Sequence, residues 1–179
     1  MDNPSVENQP IKIGLISDTH GYMDDRIIHH LKGCDEVWHL GDVGQASCLE
    51  PLTEHYKVRG VYGNIDGTEV RSQLREFGII KIQGITFLLI HIANAISRYN
   101  PKVRELIQKH NPNILVCGHS HILKVKHVTR FNLLYINPGA AGNVGFQKVR
   151  TLITFEIAEG EMKNLKVVEL GQRSTKSVH

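Results

Sequence analysis

The sequence predicts an α/β fold with mixed sheets. Early in the chain, short apolar runs that look like strands alternate with helical patterns, which is typical of parallel strands joined by helices. Later, strand-like runs follow one another with few helical patterns between them, which favours additional antiparallel strands. The chain has 179 residues, of which 41% are hydrophobic and 22% are charged. A chain of this size and composition can bury a core of its own as one layered domain.

Ten apolar runs are predicted to be strands because they are short and are bounded by turn-forming residues. Two of these runs, residues 77–82 and 85–90, are expected to pair as a hairpin across the Gln83-Gly84 turn. In chain order the runs are residues 11–16, 36–40, 56–61, 77–82, 85–90, 114–117, 122–128, 133–136, 151–157 and 165–170.

Helical patterns lie between several of these runs. One helix is expected to begin after a cap at Asp24 or Asp25 and to end at Gly33. A second helix begins at Pro101, because the fixed φ of proline suits the first position of a helix. Residues 46–55 are a further helix candidate, although a proline lies inside them.

The predicted domain runs from residue 11 to residue 170, between loose termini at residues 1–10 and 171–179. No stretch approaches the ~20 apolar residues that would span a membrane. The first ten residues are polar and lack the basic start and apolar run of a secretory signal. We therefore expect a cytoplasmic protein that does not contact membranes.

Cysteine usage and charge exclude several kinds of site. The three cysteines include no Cys-x-x-Cys pair, so neither disulfides nor a thiolate zinc site is expected. The formal net charge is +3, and the Lys and Arg residues are scattered along the sequence. No specific nucleic-acid binding is therefore indicated, while a homo-oligomer stays compatible with the sequence.

Asp, Asn and His residues follow the ends of five predicted strands. Each motif alone is an ordinary turn or cap sequence. Their shared position favours a single site, because ligands of open α/β sheets bind outside the carboxyl ends of the strands. The residues are Asp18, His20, Asp42, Asn64, His91, His119 and His121. The remaining histidines are interpreted as structural or solvated: His29, His30, His39, His55, His110, His127 and His179.

The donor types in this set predict a centre for two divalent metal ions. Seven side chains exceed the needs of one tetrahedral ion. If one carboxylate bridges, two ions each receive four protein ligands and keep a position for water or substrate. Nitrogen and oxygen donors without sulfur suit manganese, our first choice, or zinc, iron, nickel and cobalt, rather than a calcium cage.

These residues, in this order, resemble the calcineurin-like metallophosphoesterase superfamily. Its motifs run Asp-x-His, Gly-Asp, Gly-Asn, a lone His and Gly-His-x-His, and the resemblance covers about residues 11–145. The short length and the Asn-Pro-Gly-Ala segment at 137–140 are similar to the small prokaryotic phosphodiesterase branch, which the eukaryotic retromer cargo-sorting subunit shares. The resemblance implies a four-layer α-β-β-α sandwich with two mixed sheets.

The resemblance also implies a ligand set and a reaction. Asp42 would bridge the two ions and hold the nucleophilic hydroxide. The substrate would be a small-molecule phosphoester, and the reaction would be hydrolysis of phosphodiesters. The alternative is a non-catalytic scaffold of the same fold that binds other proteins. The first ion would be bound by Asp18, His20, Asp42 and His121, and the second by Asp42, Asn64, His91 and His119.

The sequence departs from the family pattern beside two motifs. The large phosphatases carry a His directly after the motif Asn, where it can protonate the leaving group. Ile65 stands there instead and cannot transfer a proton, so good leaving groups are expected to be favoured. Asp66 comes next, as in the small branch, and either orients a ligand or is a turn carboxylate. The lone His is usually followed by Gly, but here Ile92 follows it.

The loop at residues 137–140 carries a third departure. Ala140 stands where Ser is common, which removes a hydroxyl near the site. Asn137 and Gly139 of the same loop are expected to contact the substrate.

Overall fold

The computed structural model describes residues 9–173, and within that range the chain forms two five-stranded mixed sheets with helices on both outer faces. The strands are β1 (Ile11–Ile16), β2 (Glu36–His39), β3 (Lys57–Gly60), β4 (Phe77–Ile82), β5 (Ile85–Ile90), β6 (Ile114–Val116), β7 (Lys124–Val128), β8 (Leu133–Asn137), β9 (Val149–Ala158) and β10 (Glu161–Gln172). The helices are α1 (Asp25–Leu31), α2 (Glu50–Thr53), α3 (Thr68–Gln73) and α4 (Pro101–His110), with short 3₁₀ turns at Ala46–Cys48, Ile96–Arg98 and Thr129–Phe131.

Each sheet contains three neighbouring parallel strands and two strands that join the sheet through antiparallel pairing. The first sheet has the order β10-β9-β1-β2-β3, with β1, β2 and β3 parallel to one another. The second has the order β4-β5-β6-β8-β7, with β5, β6 and β8 parallel. In the second sheet the antiparallel strands β4 and β7 are the two edge strands, whereas in the first sheet the antiparallel strand β9 lies between β1 and the edge strand β10. The mixed sheets expected from the sequence are confirmed.

Three apolar clusters separate the layers. The central cluster lies between the two sheets and contains the aromatic rings of Trp38, Phe87 and Phe155, with centroids 5.0–6.1 Å apart. A second cluster joins the first sheet to α1, α2 and α3, and a third joins the second sheet to α4. Since both sheets are buried on both faces, their strands are rich in continuous apolar residues. The four-layer α-β-β-α arrangement is confirmed.

Local sequence signals explain the two regular helices that were expected. The Asp24 side chain caps α1 by accepting a hydrogen bond from Ile27 N at 3.2 Å. Asn100 caps α4 in the same way by accepting from Val103 N at 2.9 Å. Pro101 occupies the first turn, where its missing N–H has no partner to lose. No helix among the described residues is both long and apolar enough to cross a membrane.

Two parts of the helix prediction need correction. Residues 46–55 form a 3₁₀ turn followed by the four-residue α2, because Pro51 can occupy only the first turn of a helix. Helix α3 was not expected, since Val70 is its one buried residue and such a helix shows no apolar stripe.

The C-terminal boundary of the folded domain also differs from the expected one. Strand β10 continues through Gly171 and Gln172, which pair with Arg150 and Val149 of β9. The folded domain therefore extends past residue 170, because an antiparallel partner strand is available there. Of the termini expected to be loose, residues 1–8 and 174–179 lie outside the described residues.

The Glu36 carboxylate is a buried charge in the first sheet. Its side chain accepts hydrogen bonds from Trp38 Nε1 at 2.8 Å and from Arg59 Nε at 2.7 Å. Lys57 Nζ lies 2.8 Å from its other oxygen. Burial opposes ionisation, but the hydrogen bonds from Arg59, Lys57 and Trp38 outweigh it and hold the pKa of Glu36 below its ordinary value of 4.5.

We expect Glu36→Gln to lower the free energy of unfolding by roughly 2 kcal/mol at pH 7, because charge-assisted hydrogen bonds become neutral ones. A carboxyl group whose folded pKa is depressed contributes stability above its unfolded pKa and loses it as the pH falls through the folded pKa. Urea unfolding between pH 3 and pH 7 should therefore show a steeper loss of stability for the wild type than for the variant. Parallel curves would contradict this role.

Candidate metal centre

The candidate residues lie at one edge of the sandwich, where the carboxyl ends of six parallel strands meet. Strands β1, β2 and β3 of the first sheet lead into Asp18, Asp42 and Asn64. Strands β5 and β6 of the second sheet lead into His91 and the segment 118–121. The two sheets thus contribute their strand ends to a common site.

The site consists of two groups of three side chains. Within each group the potential ligand atoms all lie within 4.8 Å of one another. Both groups combine residues from the two sheets, so the packing of the sandwich assembles them. The first group is Asp18, His20 and His121, and the second is Asp42, His91 and His119.

Asp42 lies between the two groups and presents one carboxylate oxygen to each. Its Oδ1 is 3.3 Å from His91 Nε2 in its own group. Its Oδ2 is 3.9 Å from His20 Nε2 in the other group. A single carboxylate in this position is able to bridge two cations.

Asn64 and His119 are the two candidate residues that are exposed to solvent. Asn64 lines a cavity of about 440 Å³ together with His91, Tyr62 and Arg71. Its carboxamide oxygen is therefore available on the open side of the second group.

The backbone around the site adopts an unusual conformation at five of the seven candidate residues. Left-handed φ values cost about 1 kcal/mol or more for residues other than glycine, and they concentrate at functional sites. At His119 and His121 this conformation interrupts the strand alternation, so the two rings enter different groups. The φ angles are 53° at Asp18, 49° at His20, 53° at Asp42, 67° at His119 and 57° at His121.

Two glycines allow the loops to approach the carboxylates. A Cβ atom on Gly63 would collide with Asp42 Oδ1. A Cβ atom on Gly118 would collide with Ser17 Oγ and approach Asp18 Oδ2 to 2.9 Å. Any larger residue at either position would have to displace one of the two central carboxylates.

The Asp18 carboxylate has one satisfied oxygen and one unsatisfied oxygen. Oδ2 accepts hydrogen bonds from Ser17 Oγ at 2.5 Å and from His119 N at 3.1 Å. Oδ1 is buried without a hydrogen-bond partner and lies 3.2 Å from His121 Nε2. A buried carboxylate oxygen without a donor is costly, and a cation would satisfy it.

The His91 ring is oriented by the backbone. Its Nδ1 lies 2.6 Å from the carbonyl oxygen of Leu40, and because a carbonyl can only accept, Nδ1 carries the proton. Nε2 then presents its lone pair to Asp42 and has no hydrogen-bond partner. Such an arrangement is typical of metal-binding histidines, and the residues present therefore fit a divalent cation.

The pKa shifts of the site residues agree with the binding of a divalent cation. Burial opposes ionisation of Asp42, but the His91 ring 3.3 Å away and the backbone hydrogen bond from Ile65 outweigh it and lower the pKa of the carboxyl. Burial is the main cause of the lowered pKa values of His20 and His119. Burial also works against a charged His91, but the carboxylates Asp42 and Asp18 outweigh it and raise the pKa of that ring. A divalent cation would compete with that proton for the same lone pair.

His39 stabilises the loops of the site through hydrogen bonds, whereas the sequence indicated only a structural or solvated residue at this position. It is fully buried and its Nε2 lies 2.9 Å from Thr19 Oγ1. The Thr19 hydroxyl donates to Val43 O, so His39 Nε2 donates to it and Nδ1 accepts from Gly41 N. Burial lowers the pKa of His39 to about 4. The occurrence of a histidine inside the apolar run 36–40 is the sequence signal that could have identified His39 as a supporting residue.

Asp66 holds two of the site loops together through their backbones. Its Oδ1 accepts a hydrogen bond from Gly44 N at 2.8 Å, and its Oδ2 accepts from Gly63 N at 2.7 Å. The carboxylate is 3% exposed, so it positions the loops that carry Asp42 and Asn64.

Asp66→Asn is expected to weaken metal binding by 10- to 100-fold, roughly the effect of removing a residue that supports metal ligands. The amide would place its NH₂ group against one of the two glycine N–H donors, and stability should fall by about 2 kcal/mol. Manganese titration by calorimetry and chemical unfolding measure the two effects. Glu69→Gln, an exposed carboxylate three residues away, is the matched control. Unchanged manganese affinity in the Asp66 variant would show that the loops hold without it.

The loop at residues 137–140 packs against the Gly118–His121 loop. Asn137 is fully buried, and its Nδ2 donates to Gly118 O at 2.7 Å while its Oδ1 accepts from Gly139 N at 3.0 Å. Gly139 is buried as well. These hydrogen bonds support the Gly118–His121 loop, and a contact of Asn137 or Gly139 with the substrate stays a prediction.

Two cavities border the second group. One is the cavity lined by Asn64 and His91, and the other has a volume of about 790 Å³ and includes His119 in its wall. The position after Asn64 is occupied by Ile65, whose side chain is exposed and whose N–H donates to Asp42 Oδ1 at 3.1 Å. This residue offers no side-chain proton to a ligand.

Comparison with known proteins gives one family. A sequence model of the calcineurin-like phosphoesterase superfamily domain matches residues 11–160. A probable metallophosphoesterase of Methanocaldococcus jannaschii is 30% identical over 135 residues, which cover 72% of this chain and 67% of that relative.

Solved structures share the fold at lower identity. An archaeal phosphodiesterase superimposes with a TM-score of 0.69 and 21% identity, covering 88% of this chain and 100% of that one. Vps29 from Entamoeba histolytica in complex with zinc superimposes with a TM-score of 0.65 and 19% identity, covering 90% of this chain and 100% of that one. At these identities the likeness shows the four-layer fold alone.

Proposed function

Because this chain belongs to the calcineurin-like phosphoesterase superfamily, we propose that it hydrolyses phosphodiesters at a centre for two divalent metal ions. The observation that carries the proposal is the position of Asp42 between two groups of donors. The unsatisfied atoms Asp18 Oδ1 and His91 Nε2 support it, since each lacks the partner that a cation would provide.

Each of the two groups of side chains supplies most of the proposed ligands of one ion. Neutral imidazole and carboxylate donors without sulfur suit manganese, which we propose as the native ion, and zinc, iron, nickel or cobalt fit the same donors. When bound, two such ions supply Lewis acidity toward a phosphoryl oxygen and lower the pKa of a coordinated water. The first ion would be held by Asp18, His20, His121 and Asp42, and the second by Asp42, His91, His119 and Asn64.

The chain's own residues prepare this centre and orient the substrate. Asp42 is anionic and shares its charge between the two groups, while His20 and His119 have lowered pKa values and are neutral donors. Asn64 presents its carboxamide to the solvent side. Asp66 fixes the loops on which Asp42 and Asn64 lie.

The test of the proposed reaction measures the hydrolysis of a diester and of a monoester, together with the metal content of the protein. We expect manganese analysis to give two ions per chain and bis(4-nitrophenyl) phosphate to be hydrolysed faster than 4-nitrophenyl phosphate. The buried free cysteines agree with action in the cytosol on a small-molecule substrate. The scaffold alternative predicts two bound ions without turnover of either ester, and that result would overturn the proposed activity.

Leaving-group preference should follow from Ile65. Because this side chain cannot protonate the departing oxygen, an alkyl diester such as glycerophosphocholine should react far more slowly than the aryl diester. Ile65→His should raise turnover of the alkyl diester by up to about a hundredfold, the lower range for a general acid, and should change the aryl diester little. Steady-state kinetics on both substrates measure the difference. Ile65→Gln, which is polar but does not act as an acid, is the control, and equal gains in both variants would contradict the assignment.

A further inference from the structure

A cavity beside the metal centre carries positive charge. It has a volume of about 790 Å³, and its lining includes His119 together with Lys124, Lys126 and Arg130. No Asp or Glu lies in that lining, although the whole chain has 18 acidic against 21 basic residues. The cavity therefore has one sign of charge and is continuous with the second group of the metal centre.

The cations are arranged in order of distance from the metal centre. Lys124 pairs with Asn137 in the β7–β8 register, and Asn137 bonds the loop that carries His119. Lys126 follows two residues later and pairs with Tyr135. Residues two apart on a strand point to the same side and are separated by roughly 6.6 Å. Arg130 lies beyond them in the 3₁₀ turn.

These three cations are available to a ligand. Lys124, Lys126 and Arg130 are exposed, and within residues 9–173 none of them forms an ion pair with an acidic side chain. Val128 and Tyr135 are buried and form an apolar floor beside them. Lysines also protect edge strands such as β7 from pairing with other chains. That role does not require Arg130, which lies outside the strand, or a lining without acidic residues.

We propose that this cavity binds a second phosphate group of the substrate, so that the preferred phosphodiester carries at least one further phosphate besides the scissile one. This inference rests on the proposed function for the position of the scissile group at the metal centre. Lys124 and Lys126 would contact the second phosphate, while the apolar floor accommodates the part of the molecule between the two phosphates.

A pair of matched substrates tests the proposal. The 4-nitrophenyl ester of thymidine 5′-phosphate has one phosphate, and the same compound with a 3′-phosphate has two. Wild type is expected to show about a tenfold higher kcat/KM for the second compound, since two exposed ion contacts together contribute about one factor of ten. The ratio should fall to near one in Lys124→Ala/Lys126→Ala.

Lys81→Ala is the matched control, because Lys81 is an exposed lysine on β4, the opposite edge strand of the same sheet. This variant should keep the wild-type ratio. A wild-type ratio near one, or an equal loss of the ratio in the Lys81 variant, would overturn the proposal. In both cases hydrolysis of the simpler ester would show that the metal centre itself works.

Binding without metal separates this proposal from the proposed activity. After removal of metal ions, calorimetric titration with inorganic pyrophosphate and with thymidine 3′,5′-bisphosphate should give dissociation constants about tenfold higher in the double lysine variant than in wild type. Weaker binding of both compounds by the double variant would support the assignment of the two lysines to a phosphate group. Equal binding by wild type and the double variant would overturn the cavity assignment even if the enzyme proved active.

Discussion

Asp42→Asn is expected to lower phosphodiesterase turnover by about a thousandfold or more, the scale on which removal of a principal charge-stabilising group acts. The substitution preserves the shape of the side chain but removes the negative charge that lies between the two donor groups. An amide also has one oxygen, so it cannot offer an acceptor to both groups. Metal content should fall below two ions per chain.

Turnover of bis(4-nitrophenyl) phosphate and metal analysis of the same preparation measure the two effects together. Asp25→Asn is the control, because Asp25 is an exposed carboxylate in the first turn of α1. Its activity and metal content should match those of wild type. Full activity with two bound ions in the Asp42 variant would refute the bridging role.

Asp24→Ala is expected to lower the free energy of unfolding by about 3 kcal/mol, because it leaves a buried guanidinium without its counter-ion. Arg150 is 2% exposed, and its two terminal nitrogens lie 2.8 and 3.0 Å from the Asp24 oxygens. Its Nε also donates to Ala141 O at 2.7 Å. The pair therefore joins the start of α1 to β9 and to the loop after β8. Loss of the helix cap adds to the effect.

Chemical unfolding of the two single variants and the double variant tests this interpretation. Arg150→Met fills the same space without a charge, so Asp24→Ala/Arg150→Met should be more stable than the sum of the single effects predicts. Asp25→Ala, which has no buried partner, should change stability by less than about 0.5 kcal/mol. Strict additivity of the two substitutions would show that the ion pair does not couple these elements.

The sequence predicted the regular elements where local chemistry is strong. The hairpin of β4 and β5 has the expected bounds, because its two apolar runs are separated by a Gln-Gly turn with φ values of 45° and 82°. The start of α1 follows from its Asp cap. Helix α3 was missed because a short, exposed helix is stabilised by its surroundings and carries little periodic signal.

At the candidate site, too, local features could be predicted from the sequence, whereas contacts between distant residues could not. The sequence predicted seven candidate residues because strand ends are visible in it, and the structure brings six of them together in two groups. The burial of Asn137 was not predicted, since its amide is used by the Gly118–His121 loop, which is adjacent only in the folded chain. The support of Asp42 and Asn64 by Asp66 likewise depends on two loops that meet in space.

The sequence by itself determined the α/β class, the positions of most strands and the donor types at the strand ends, because residue type and side-chain periodicity are local properties. Only the tertiary structure decided the distances between these donor side chains. Each donor group combines residues from both sheets, and the position of Asp42 between them depends on how the two sheets pack and on left-handed backbone at five candidate residues. Such contacts join residues that are far apart in the chain, and no local pattern encodes them.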